Sequence, residues 1–591
     1  MKQKIIVTVV ILFFVLTVGG LAFAVFNTTS QLMLNGEHLI AVNAPARSAR
    51  IDNPNKHAYA YFRFTENQKN FISHMQEQGN GAAVQITLAL PAKKNVSHAA
   101  MPFAFGLLYD EDFKDGYHLK SEIVTRPLIH ADLALVPTSQ LSLAYSLLKD
   151  GQRPCGFFVY GTTEVSVHEV LVTEAKLGWY RSDVVPLFAF GPSGGTVDFD
   201  FSSFDFSDGK QIFSSQNTRF SIMPKVVVNL REATDIGTAE HQASISAKYG
   251  TEGMLIRLAK NQRELTLQTS AFTQPFSTMV FTTHSDMVLS MLMSANKMDL
   301  LPREAGGSYL ALTPLKTDLG LVPGWPQQNW RCHDYELYQW SLFPEVLFFD
   351  FVDYKIQNQF FTRLAFFVEK EGYKGTLVDN GFIETKHGYN AHDYRAVDLA
   401  AFFSCAAKTN FKLNRNELVL RDILVTNGVI VPQSDGTYGE GHGAIVSISR
   451  ESAGYLRFML MAHECWHGIY FTTESFREVV ADLYNSFDEK SMLFLKKYWE
   501  KQPSLAYDLS NEYLMQNEFM AYLLQQPVSA TAEWFLTHAR WNSVQHDLPN
   551  LANYVIEHNA SFFTEACQKL SDYAFATWGL AAGRVFLVSR R

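Results

Sequence analysis

From about residue 30 to 300 the chain alternates short apolar runs with turn residues. Ala83 to Leu90 (AVQITLAL), Gly156 to Tyr160 (GFFVY), Val165 to Val172 (VSVHEVLV) and Val226 to Leu230 (VVVNL) are four of these runs. Gly194-Gly195, Asp208-Gly209 and Tyr249-Gly250 punctuate them. Period-two or short continuous apolar runs between turn signals predict strands, and their spacing predicts an antiparallel sandwich or jelly roll.

A loop rich in Pro, Gly and Trp follows, Leu321 to Trp330 (LVPGWPQQNW), and the texture then changes. Val346 to Val352 (VLFFDFV) reads as a buried strand, and Tyr354 to Glu371 as a helix ending at Gly372. Further helices are expected over Tyr394 to Ala407 and Arg415 to Thr426, with a short strand at Gly443 to Ser449 (GAIVSIS). From Ser452 to about Leu570 nearly everything reads as helix, punctuated by Pro503, Pro527 and Pro549. The pattern divides the chain into residues 1–26, an all-β region over 27–320 and a mainly α (α+β) domain over 321–591.

With 47% apolar and 18% charged residues, a 591-residue chain can build large cores, and global disorder is excluded. The net charge of −9 and the lack of any basic block argue against a nucleic-acid partner. Lys2 and Lys4 precede an apolar run from Ile5 to Phe26, with Ala22-Phe23-Ala24 near its end. This is the pattern of a cleaved secretory signal, and its length also suits an uncleaved membrane anchor. Either way the remainder is expected outside the cytoplasm. The five cysteines, Cys155, Cys332, Cys405, Cys465 and Cys567, form neither a disulfide framework nor a Cys-x-x-Cys pair. An odd count in an exported protein leaves at least one thiol free or in an intermolecular bond, and Cys465 is the expected free one.

The segment Leu460 to Ile469 reads LMAHECWHGI. On a helix, His463 and His467 lie four residues apart on one face, so both imidazoles can reach one ion. Glu464 projects beside them, where it can exchange a proton with attacking water and leaving amine. Chance yields roughly 0.03 H-E-x-x-H matches in a chain of this composition. The uncharged flanks Met461, Ala462, Cys465, Trp466, Gly468 and Ile469 suit a buried helix. A core helix with two incidental histidines would also have such flanks, but it does not require a glutamate framed by histidines.

With these residues the chain resembles the zincin metallopeptidases over residues 430–526. The resemblance implies one catalytic zinc and a peptide substrate, with His463 and His467 as ligands and Glu464 as general base. In that family a strand before the metal helix runs antiparallel to substrate, which points to Gly443 to Ser449 as an edge strand, with Ser452 capping the helix. The metzincin continuation is excluded, because Tyr470 and Thr473 occupy its glycine and histidine positions. The gluzincin pattern requires a glutamate on a later helix. Glu518, in Asn517-Glu518-Phe519-Met520-Ala521-Tyr522, fits it, although its 51-residue distance from His467 exceeds that of thermolysin-like enzymes. Glu474, Glu478 and Asp482 are rivals on the nearer helix. Such peptidases also carry an oxyanion donor, for which Tyr513 is the candidate.

Two histidine-containing loops, His387 to Tyr394 and Glu440 to Gly443, are also candidates to line a cleft, and His392 with Asp393 reads as a structural pair. Val165 to Trp179 resembles a late strand of a carbohydrate-binding jelly roll, which implies a glycan or surface ligand for the β region. The leading expectation is an exported zinc endopeptidase, with residues 5–26 as a membrane tether if they are retained. The alternative is an exported, catalytically inactive binding protein acting through the β region.

Overall fold

The computed structural model describes residues 310–590 apart from 503, 504 and 506, together with the secondary-structure elements and a few flanking residues between 32 and 299. The expected leader lies outside the described residues. Among those described, no helix is long and apolar enough to cross a membrane.

Among its described residues the first half is built from strands, with an α-helix at Glu66–Glu77 that the pattern did not announce. Ten of its described strands, together with Val588–Arg590, form an 11-stranded sheet, and eight form a second sheet, both with antiparallel ladders. Val165 to Trp179 is not one strand. Ser166–Ala175 pairs with Gly81–Ala89, whereas Trp179–Pro186 pairs with Gln140–Leu147 and Val288–Asp299.

The second half is largely helical around a five-stranded sheet. Its order is Leu315–Thr317, Tyr335–Trp340, Val346–Phe351, Ala444–Ser449 and His392–Arg395. Val346–Phe351 runs parallel to Ala444–Ser449, and both are buried along their whole length, as continuous apolar strands of a covered sheet should be. Alternation separates two cores. Leu347, Phe349 and Phe351 join Ile445 and Tyr394 under the helices Tyr354–Val368, Ala396–Lys408 and Arg415–Thr426. Val346, Phe348, Val446 and Ile448 point the other way, onto the helix Gly454–Thr472.

Ala444–Ser449 is therefore not an edge strand, contrary to the expectation for Gly443 to Ser449. It pairs on both sides, and His392–Arg395 occupies the sheet edge, antiparallel to it. Four residues with two histidine or aspartate positions carry too weak a strand signal to be recognised locally. Ser452 does not cap the following helix either. Its Oγ lies 2.7 Å from the Tyr354 hydroxyl, and the N-cap Ala453 offers no side-chain acceptor.

The C-terminus returns to the first half. Val588–Arg590 adds to the 11-stranded sheet beside Glu252–Arg257. Asp318, fully buried, accepts hydrogen bonds from Gly320 N, Leu587 N and Val588 N at 2.8, 2.9 and 3.0 Å. A Cβ on Gly320 would lie 1.8 Å from the Val588 carbonyl oxygen, so only glycine permits this approach. All five cysteines are free, and Cys465 is fully buried, so the thiol expected to be free is inaccessible.

Candidate metal centre

His463 and His467 sit on Gly454–Thr472, here called the histidine helix. It lacks a side-chain cap at its start and is held to the sheet instead by Arg457, whose two Nη atoms donate to Asp350 at 2.8 Å each. At the other end Gly468 faces the sheet so closely that a Cβ would stand 3.0 Å from Val346 Cγ1. These two contacts set the height and rotation of the turn between them, which carries the motif.

Glu518 comes from Glu512–Leu524, the glutamate helix, whose Asn511 cap accepts from Leu514 N at 3.3 Å. Residues Asn517 through Leu524 of this helix are all buried, and it packs directly on the histidine helix. A helix buried on every face fixes its side chains well.

The three side chains converge. Glu518 Oε2 lies 3.6 Å from His463 Nε2, and Glu518 Oε1 lies 3.7 Å from His467 Nε2. One ligand atom from each residue lies within 4.8 Å of the others. Metal–ligand bonds near 2.0–2.2 Å in a tetrahedron put ligand atoms about 3.4 Å apart, and the two nitrogen–oxygen distances lie within a few tenths of an ångström of that. The imidazoles are nearly perpendicular, with ring centroids 4.7 Å apart. His463 Nδ1 lies 3.0 Å from the Gln525 Oε1 acceptor, which directs Nε2 toward Glu518.

Unpartnered atoms point the same way. His467 is 1% exposed and neither ring nitrogen has a hydrogen-bond partner, and Glu518 Oε2 has none. Buried polar atoms left without partners are costly, and a shared cation satisfies all of them. Burial lowers the His467 pKa to about 4, which keeps it in the neutral, ligating form. Burial also pulls His463 down, but the neighbouring Glu518 carboxylate outweighs it and the net shift is upward.

Glu464 projects from the same helix toward the sheet edge, where it meets Asp393. Burial, reinforced by the charges of Asp393 and Glu518, holds the Glu464 carboxyl well above the usual carboxylate range. Asp393 is opposite Val446 in the ladder, so its side chain shares the face covered by the histidine helix. His392 points to the opposite face, with Nδ1 3.1 Å from Gln357 Nε2 and 3.2 Å from Ser447 Oγ. His392 and Asp393 are therefore not a structural pair, because successive strand residues face opposite ways. Period-two alternation over His392–Arg395 was the available signal for Asp393. Gln525 carried none.

The remaining candidates separate clearly. Glu474, Glu478 and Asp482 are all exposed and are not brought to the imidazoles. Tyr513 lies over the Arg395 guanidinium at 4.4 Å and stacks against Phe471, which in turn contacts the His467 ring. The fold thus holds it one ring away from the ligands. The tyrosines that feel the Glu518 charge are Tyr389, Tyr507 and Tyr522, and the Tyr522 ring packs edge-on against His463 at 5.3 Å. Of the candidate loops, His387 to Tyr394 supplies Tyr389 and Asp393 to this neighbourhood.

No family model matches the chain, and neither the curated proteins nor the solved structures contain a match to it.

Proposed function

We propose that this protein is a zinc metallopeptidase, with His463, His467 and Glu518 as metal ligands and Glu464 as general base. The observation that carries the reading is the convergence of two buried imidazoles and one carboxylate, including unpartnered nitrogens, from two helices packed together. The arrangement of a metal helix behind a sheet with an antiparallel edge strand supports a zincin-like fold for this half of the chain.

When bound, zinc acts as a Lewis acid on the scissile carbonyl and on the attacking water. The chain supplies the rest. Glu464 takes a proton from the water and delivers it to the leaving amine. The substrate backbone pairs with His392–Arg395, the outer strand of the five-stranded sheet, by strand addition. Tyr389, Tyr507 and Tyr522 feel the Glu518 charge, and an oxyanion donor is sought among them before Tyr513. The leader over residues 1–26 supports export, and the β-rich half is assigned an accessory role.

Metal content and peptide hydrolysis test the reading together. The purified full chain should hold zinc and cleave an unstructured protein such as casein, and H463A should lose both. A folded wild-type chain that takes up no zinc would refute it.

A further inference from the structure

Residues 369–391 connect the helix Tyr354–Val368 to the outer strand His392–Arg395, and they are anchored on the sheet side of the molecule. Tyr373 and Phe382 pack edge-on against Phe366 of that helix, with ring centroids 5.1 and 5.0 Å away. Arg363, fully buried, donates to the Val378 carbonyl and to Asn380 Oδ1. Lys370 Nζ stands 3.5 Å from the centre of the Tyr389 ring. Two polar contacts then carry the segment across to the helical side. The Tyr389 hydroxyl donates to the Leu505 carbonyl at 2.9 Å, and Lys374 Nζ lies 3.7 Å from Asp508 Oδ2. Leu505 and Asp508 precede the glutamate helix, and Tyr389 precedes the outer strand, so these contacts tie together the two elements that flank the metal site.

We propose that residues 369–391 form a strap closed over the metal site, latched by Tyr389 on Leu505 and by Lys374 on Asp508, and that a peptide reaches the outer strand only when this latch opens. The inference rests on the zinc reading for what the site does and adds a control of access to it.

His463, Glu464, His467 and Glu518 are each no more than 9% exposed. A scissile carbonyl has to come within contact of the metal and the base, so a site this closed turns over only when one of its walls moves. The walls are unequal. At the other end of the outer strand, the Arg395 guanidinium lies 4.4 Å from the Tyr513 ring of the glutamate helix, and its Nε and Nη2 donate to Asp398 at 2.7 and 3.0 Å. That end is held by three side chains at once. The strap end is held by one neutral hydrogen bond and by an ion pair whose side chains are 55% and 35% exposed. An ion pair so exposed contributes little to stability and weakens with salt. Because the sheet-side anchors are buried, opening carries the strap away from Leu505 and Asp508 rather than off the sheet. The gap then runs along one strand and takes one extended chain, which favours flexible peptides over folded proteins.

The rate at which EDTA strips zinc from the loaded full chain reports latch opening independently of hydrolysis. K374E sets two like charges together and should speed extraction at least about fivefold at unchanged zinc content. The charge swap K374E/D508K should return the rate toward that of wild type. Y389F should also speed extraction, and only that rate is read for it, because Tyr389 is a candidate oxyanion donor. Added salt should speed extraction from wild type but not from K374E. On casein, K374E should lower KM and the swap should reverse the change. Extraction from K374E and Y389F at the wild-type rate overturns the strap and leaves the zinc site standing. A swap as fast as K374E overturns it too. If wild type takes up no zinc, the peptidase reading falls, and amide hydrogen exchange over residues 385–391 decides the strap. Faster exchange in K374E than in wild type supports it, and equal exchange overturns it. K374E alters an exposed side chain, so it carries the test if Y389F does not fold.

Discussion

Asp350, on the buried strand Val346–Phe351, receives both Nη atoms of Arg457 at 2.8 Å, and this pair joins the sheet to the histidine helix six residues before His463. Asp350 also lies 3.3 Å from Arg450, whose side chain is partly exposed. The two arginines are unequal partners. Removing Asp350 strands a buried guanidinium, whereas removing Arg457 leaves Asp350 paired. D350A should therefore cost about 3–5 kcal/mol in a denaturant titration, and R457M distinctly less. Equal losses would show that the second arginine does not matter.

The third ligand is the next test. E518A should lower zinc affinity by at least about 100-fold, because a three-ligand site reduced to two histidines loses its only charged donor. E474A, E478A and D482A should leave affinity unchanged, since all three side chains are exposed. Competition with a fluorescent chelator measures both, and a loss in any of the three controls would reassign the ligand.

E464Q should keep its zinc, because Glu464 is not in the proposed ligand set of His463, His467 and Glu518. Hydrolysis should fall by roughly 10²-fold or more, as an amide cannot accept the proton. Zinc content and steady-state turnover on one preparation separate the two effects.

Gln525 accepts from His463 Nδ1 and so fixes which nitrogen faces Glu518. Q525A should weaken zinc binding by about 10–100-fold, whereas Q525E, which keeps an acceptor, should recover most of it. Rescue by glutamate is the outcome that a purely steric role for Gln525 does not predict.

The C-terminal clasp has a pH signature. Burial pushes the Asp318 carboxyl up to about 6 from its ordinary 3.8, against the opposing effect of its three N–H donors. The folded state then binds the proton more tightly than the unfolded chain, so this group's contribution to stability falls as pH rises from about 4 to 6. At 1.36 kcal/mol per pH unit the change is about 3 kcal/mol. D318N should be destabilised at every pH by the lost acceptor geometry, but the deficit should shrink by about that amount between pH 3.5 and pH 7. A pH-independent deficit in chemical denaturation would show that folding does not shift the Asp318 pKa.

The local elements of the second half were largely legible. Tyr354–Val368, Arg415–Thr426 and Glu512–Leu524 lie where periodicity and punctuation put them. Asn414 and Glu417 form a reciprocal capping box that the sequence spells directly. The motif residues were legible because helical spacing alone puts His463 and His467 on one face. What could not be read locally was pairing. A strand of four residues, His392–Arg395, displaced Ala444–Ser449 from the sheet edge, and no local pattern states which strand has a neighbour.

The sequence by itself determined a β-rich first half, a helical second half and two histidines with a glutamate on one buried helix. Those depend on short-range rules, the periods of helix and strand and the chemistry of turns. The tertiary structure alone decided that Glu518 rather than Glu474 meets the imidazoles, that Tyr513 is held back by Arg395 and Phe471, and that Asp393 faces Glu464. Each of those results from packing between segments dozens of residues apart. The direction in which one helix presents its side chains to another is set by the contacts that bury both, as Gly468 against Val346 and Arg457 on Asp350 do here.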